Sequence, residues 1–358
     1  MIQFFQVNHS ERCDMNVRLV VRACTLAAML VAVFVPVTSA GKPGPGSSEG
    51  TGRVFFPNPV ATLQDQTLTD QKDRDYFALQ PAYRLVTLTN LDGSGYLRGD
   101  WANIRSETGP AAYSPDNTFN YGRNDDRFEQ VMGYYWATEA QKYIQSLGFG
   151  VTRRPINQES QDIRINQYGI DNSYSWDKHD VLRFGKGGVD DAEDAEVILH
   201  EYGHAMMDSQ ATPFGNFGYS TEAGSIGEGF SDYWAATVSL VVAPTPDPAC
   251  IADWDSVSYT TQVPHCLRRI DLDLHYPEDL NGRVHHDGQI WSRALWDIRA
   301  QLGNVEADTL ILEAQFDFAA DTTMPAAAQV TVATAERLYG NDVASIVQTA
   351  FRDRGILP

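Results

Sequence analysis

The sequence predicts a two-lobed α+β protein, with a strand-rich N-terminal lobe, a helical C-terminal lobe and one helix at their junction. Three observations lead there. From residue 53 to about 190 short apolar stretches alternate with turns. After 190 the apolar residues recur at helical spacing. No internal repeat interrupts either half, and an apolar share of 43% in 358 residues can fill a sizeable core.

Residues 1–40 read as an export signal. Arg18 and Arg22 give a positive start, and Ala23 to Val37 is a mostly apolar run of 15 residues, short for a membrane span. Thr38-Ser39-Ala40 offers small residues for cleavage, and Met15 is an alternative start because residues 1–14 are polar. Residues 41–52 (GKPGPGSSEGTG) read as a flexible linker. The N-terminal lobe, 53–205, then begins. Arg84 to Thr89 alternates like a strand, Asp92-Gly93-Ser94-Gly95 turns, and Tyr96 resumes. Phe128 to Leu147 carries apolar residues at helical spacing, and Asn172 to Phe184 returns to strand and turn.

Ala192 to Met207 is the junction helix, with acidic residues in its first turns that suit the helix dipole. The C-terminal lobe, 206–358, holds helices predicted at Glu228–Leu240, Gln289–Leu302, Glu306–Ala320, Ala326–Tyr339 and Val343–Arg354. Gly340-Asn341 ends one of these and starts the next.

A net charge of −20 argues against nucleic acid or an anionic membrane as a partner. It fits an exported chain, extracellular or periplasmic, with no stable membrane insertion after signal cleavage. Cys13 and Cys24 lie in the leader. Cys250 and Cys266, 16 apart, are expected to form one disulfide, since a zinc–thiolate site needs more ligands than this segment has.

The chemistry gathers at His200-Glu201-Tyr202-Gly203-His204. Two histidines four apart share one helix face, where both imidazoles reach one zinc ion. Glu201 stands beside that face, placed to accept a proton from a water there. Downstream, Glu228 supplies a third, anionic ligand, and a set of two His and one Glu leaves a position open for water or substrate. Asp232, one turn later on the same face, can accept the N–H of a liganding histidine.

HEYGH followed by EAGSIGEGFSDYW (Glu222 to Trp234) resembles the thermolysin-type gluzincin metallopeptidases, and most of all their fungalysin-like branch. The 23 residues between His204 and Glu228 exceed the interval in gluzincin aminopeptidases. Val284-His285-His286-Asp287-Gly288-Gln289-Ile290-Trp291 resembles the segment carrying the transition-state histidine, which implies that His285 donates to the oxyanion. His286, next to it, offers the same chemistry. The resemblance makes Tyr219, nine residues before Glu228, a second oxyanion donor; a half-buried aromatic is the other reading. Arg268, in Leu267-Arg268-Arg269, matches the position that binds a substrate carbonyl. Asn172, in Asp171-Asn172-Ser173-Tyr174, matches the edge segment that pairs with the substrate backbone.

These residues imply a zinc metalloendopeptidase acting on proteins or peptides, with a two-lobed thermolysin-like fold. The alternatives are a zinc exopeptidase and a zinc-stabilised binding protein without activity. Between Ala40 and Asn172 the length suits an N-terminal lobe, so no long propeptide is expected. Asp190, Asp191, Glu193, Asp194 and Glu196 allow two readings, calcium ligands or a solvated helix start.

Overall fold

The computed structural model describes residues 48–105, 109–210 and 221–358. The export signal, linker residues 41–47 and Tyr219 lie outside the described residues.

Strands come first. Gly50–Phe55 (β1) precedes the short helix Pro59–Leu63 (α1), which Asn58 starts by accepting the Ala61 N–H at 2.9 Å. Tyr83–Leu88 (β2) pairs antiparallel with β1, Gly50 opposite Leu88 and Phe55 opposite Tyr83. Ala102–Ile104 (β3) and Thr118–Phe119 (β4) follow, and β4 closes a first sheet in the order β2-β1-β4. The linker expectation needs correction at its end, because Gly50, Thr51 and Gly52 belong to β1. Those glycines serve packing: a Cβ on Gly52 would come within 2.7 Å of Val131.

Val131 lies on Arg127–Ser146 (α2), a helix buried along most of its length, with Trp136 and Tyr134 fully enclosed. Gln161–Arg164 (β5), Tyr174–Trp176 (β6) and Val181–Arg183 (β7) complete a second sheet, β3-β5-β7-β6. Its inner pairs are parallel, and β6 is antiparallel at one edge.

Helices then dominate: Ala195–Gln210 (α3), Glu222–Val242 (α4), Val284–Leu302 (α5), Asn304–Gln315 (α6), Met324–Tyr339 (α7) and Asn341–Asp353 (α8). Between α4 and α5 run two short antiparallel strands, Cys250–Ile251 (β8) and Arg268–Arg269 (β9). The Cys250–Cys266 disulfide closes the loop between them. The fold is α+β, as the sequence predicts. Among the described residues no helix is long and apolar enough to cross a membrane.

Several boundaries differ from the sequence reading. The junction helix starts at Ala195, because Asp191–Glu193 form a separate 3-10 turn. Helix α4 starts at Glu222, capped by Thr221 Oγ1 on the Gly224 N–H at 3.1 Å, so Glu228 stands in its second turn. Helix α5 starts at Val284, which puts His285 in its first turn. Glycines 224, 227 and 288 weaken the local helix signal, and packing overrides that weakness.

Candidate active site

Helix α3 carries His200, Glu201 and His204 on a buried span. It packs against α2, where Tyr202 donates to Gln141 Oε1 at 2.8 Å, and against α4, which carries Glu228 and Asp232. The imidazole Nε2 atoms of His200 and His204 are 3.2 Å apart. Glu228 Oε2 lies 3.2 Å from His200 Nε2, and Glu228 Oε1 lies 3.8 Å from His204 Nε2. One atom from each residue falls within 4.8 Å of the others.

This trio fits zinc. Two ligands ~2.1 Å from a tetrahedral centre stand ~3.4 Å apart, close to the spacing seen here. Two imidazoles and a carboxylate are a zinc donor set. Glu228 Oε2 is buried and accepts no hydrogen bond, the signature of an atom awaiting a cation.

The electrostatics agree. Burial opposes charge on His200, yet the bond and charge of Asp232 and the nearby Glu228 raise it to about 10. Burial also opposes charge on Glu228, but the two imidazoles hold its carboxyl well below the usual range. The site is a seat for positive charge. Glu201, buried beside it, is raised by that burial, with the two imidazoles working the other way.

Asp232 Oδ1 takes His200 Nδ1 at 2.8 Å. Arg268 grips the same carboxylate with both arms of its fork, at 2.6 and 2.7 Å. Burial would raise Asp232; Arg268 and His200 bring it down to about 2, so it is a permanent anion. Arg268 was expected on a substrate carbonyl, and its observed contact is with Asp232. That contact aims the His200 ring.

His285 Nε2 approaches Glu228 Oε2 at 3.4 Å, whereas His286 turns to Asp287 at 3.2 Å. A close helix crossing brings His285 there. A Cβ on Gly229 of α4 would stand 2.2 Å from the Gly288 carbonyl oxygen of α5. Burial lowers the pKa of His285. Asn172 lies just before edge strand β6 and lines a cleft with His200, Glu201 and Arg268.

The acidic run ahead of α3 is buried, which overturns the solvated reading. Glu193 pairs with Arg123 at 2.8 Å and accepts Trp254 Nε1 at 3.1 Å. Asp194 and Glu196 accept backbone N–H groups of Trp254 and Ala252. Asp191 instead joins Asp171 and Asp255, and Asp190 joins Asp126 and Glu129. Sequence reading missed Asp171 and Asp255, because only the folded chain brings the three segments together.

A thermolysin-like fold with two imidazoles and a carboxylate gathered in one seat is what the structure shows. The structure superposes on the precursor of protealysin, a metalloproteinase from Serratia proteamaculans, with a TM-score of 0.52 at 18% identity, over 71% of this chain and 86% of that one. Residues 167–310 match the fungalysin metallopeptidase family (M36). An extracellular metalloproteinase of Fusarium vanettenii is 32% identical over 34% of this chain and 20% of its own length. The gelatinase of Enterococcus faecalis is 27% identical over 52% of this chain and 38% of its own length. The chain therefore spans well under half of the curated relatives it matches. Over residues 167–310 the chain is similar to the fungalysin metallopeptidases, and its fold is thermolysin-like.

Proposed function

We propose that the chain is a secreted zinc metalloendopeptidase that hydrolyses internal peptide bonds of proteins or peptides. The convergence of His200, His204 and Glu228 beside buried Glu201 carries this reading. His200, His204 and Glu228 would hold a zinc ion, which would supply Lewis-acid chemistry toward a scissile carbonyl and a water. Glu201 takes the proton from that water on a carboxylate oxygen and delivers it to the leaving amine nitrogen. Its raised pKa suits a group that must both accept and release a proton. His285, with Tyr219, donates a hydrogen bond to the oxygen that gains charge. Asn172 holds the peptide backbone along the edge of β6. Arg268 acts through Asp232 to keep His200 oriented, and its place in the cleft wall lets it meet a substrate carbonyl. Asp171, Asp191 and their acidic neighbours leave room for calcium as an additional ion.

Export fits the leader-like residues 1–40 and the extracellular naming of one relative. Cleavage of casein or a quenched peptide, with metal content determined beside it, is the test. The wild type should hold one zinc per chain and cleave internally in a chelator-sensitive way. Glu201→Gln should keep the zinc and lose about 10²–10⁴ in kcat. A variant that cleaves as well as wild type would sink the assignment.

A further inference from the structure

Three acids that do not line the cleft meet where the start of α2 faces the approach to α3. Asp126, Glu129 and Asp190 each offer one oxygen within 4.8 Å of the others. Asp126 precedes α2, Glu129 stands in its first turn, and Asp190 precedes the 3-10 turn Asp191–Glu193. Acids at a helix start ordinarily cap it or answer its dipole. Here the Asp126 side chain caps no backbone N–H. Glu129 is 0% exposed, and neither of its oxygens accepts a hydrogen bond. Asp190 is also buried, with Oδ1 lacking a partner. Among the described residues Lys186 is the one cation paired with the trio, its Nζ 2.5 Å from Asp126 and 3.8 Å from Asp190. It forms no ion pair with Glu129. Arg123, the next cation, is held by Glu193 and Asp70. One ammonium therefore faces three carboxylates, and the most deeply buried of them has no partner.

We propose that Asp126, Glu129 and Asp190 form a calcium site that clips α2 to the segment entering α3. The site stands whether or not the chain is a peptidase. A buried carboxylate with neither donor nor cation is strongly disfavoured, and a divalent ion supplies what Glu129 lacks. Three carboxylates without imidazole or thiolate are a hard donor set, which suits calcium rather than zinc. Calcium–oxygen bonds of ~2.4 Å place ligands across the ion up to ~4.8 Å apart, which accommodates the oxygens here. Water completes the shell on the Asp126 side, where the side chain is 35% exposed. Lys186, itself 37% exposed, can swing to solvent as the ion enters. Burial, with the charges of Glu193 and Asp190, pushes Glu129 well above the usual carboxylate range, and burial pushes Asp190 to about 8. The ion takes the place of those protons. It also closes a long stretch of chain, from α2 to the approach of the helix carrying His200, and so favours the folded state.

The test titrates calcium chloride into the full zinc-loaded chain, with heat of binding and thermal unfolding as readouts. The wild type should bind calcium at this site, and its Tm should rise by about 5 °C at a hundredfold excess over Kd. Glu129→Gln and Asp126→Asn should each weaken that binding by about tenfold or more and remove the shift, with zinc content unchanged. Glu129→Gln mimics the protonated acid, so its calcium-free Tm should equal or exceed that of the wild type; Asp126→Asn changes a partly exposed residue and guards against misfolding. Lys186→Gln removes the competing ammonium and should tighten calcium binding severalfold. Absence of calcium binding by the wild type overturns the inference. So does binding that survives in Glu129→Gln and is lost in Asp171→Asn, which would put the ion elsewhere. A Lys186→Gln chain that loses stability and gains no affinity would show that the lysine is the cation this cluster holds, and overturns it as well.

Discussion

Asp232 sits between two partners, accepting from His200 on one side and from the Arg268 fork on the other. Removing its charge frees the His200 ring to rotate or take the wrong tautomer. Asp232→Asn should therefore weaken zinc binding by about 10–100-fold, read by competition with a chromogenic chelator. Unchanged affinity would reduce Asp232 to a packing residue. His200 and His204 were legible in the sequence because a helix fixes the spacing that puts them on one face, and Glu201 and Glu228 were legible from the motifs that carry them. The choice between His285 and His286 was not. Adjacent residues on a helix point about 100° apart, and only the place of α5 against α4 decides which one faces the metal seat.

At the scale of elements, the α4–α5 crossing positions the site. Gly229 and Gly288 meet with no room for a methyl group. Gly229→Ala should force the helices apart, cost about 1–3 kcal/mol in urea unfolding, and lower kcat by displacing His285. A variant with wild-type stability and rate would show that the crossing can relax. The β8–β9 loop carries Leu267 and Arg268 and is closed by the Cys250–Cys266 disulfide. Replacing both cysteines by serine should cost about 3 kcal/mol, since a closed loop of this length gains roughly that much. Measured stability equal to wild type would mean the loop is held by its other contacts. Elements that pack through glycine were the hardest to bound from sequence, as β1, α4 and α5 each show.

The whole molecule concentrates acid in its interior. Burial is the main cause that raises Asp190 to about 8, Asp191 and Glu193 to about 7 and Asp194 to about 6. Each folded value lies above its unfolded one, so the folded state holds these protons longer. The resulting stability is fully present below about pH 4 and is lost as pH rises through the folded values of these groups. The unfolding temperature of the chelated, metal-free chain should fall between pH 5 and pH 8. A rise over that interval would show that cationic partners, rather than protons, neutralise these carboxylates. Composition displayed the acidity; it did not show that the run before α3 turns inward.

The sequence by itself determined the local periodic features. Helix α3 with its ligand spacing, the order of the motifs, the α+β class and the disulfide pair all follow from contacts between near neighbours or from spacing along the chain. Tertiary structure decided what depends on segments distant in sequence. It joined Arg268 to Asp232, turned His285 rather than His286 toward Glu228 and gathered Asp171, Asp191 and Asp255 into one cluster. The physical reason is that side-chain direction along one element is set by its own backbone, whereas the meeting of two elements is set by the packing of the whole core.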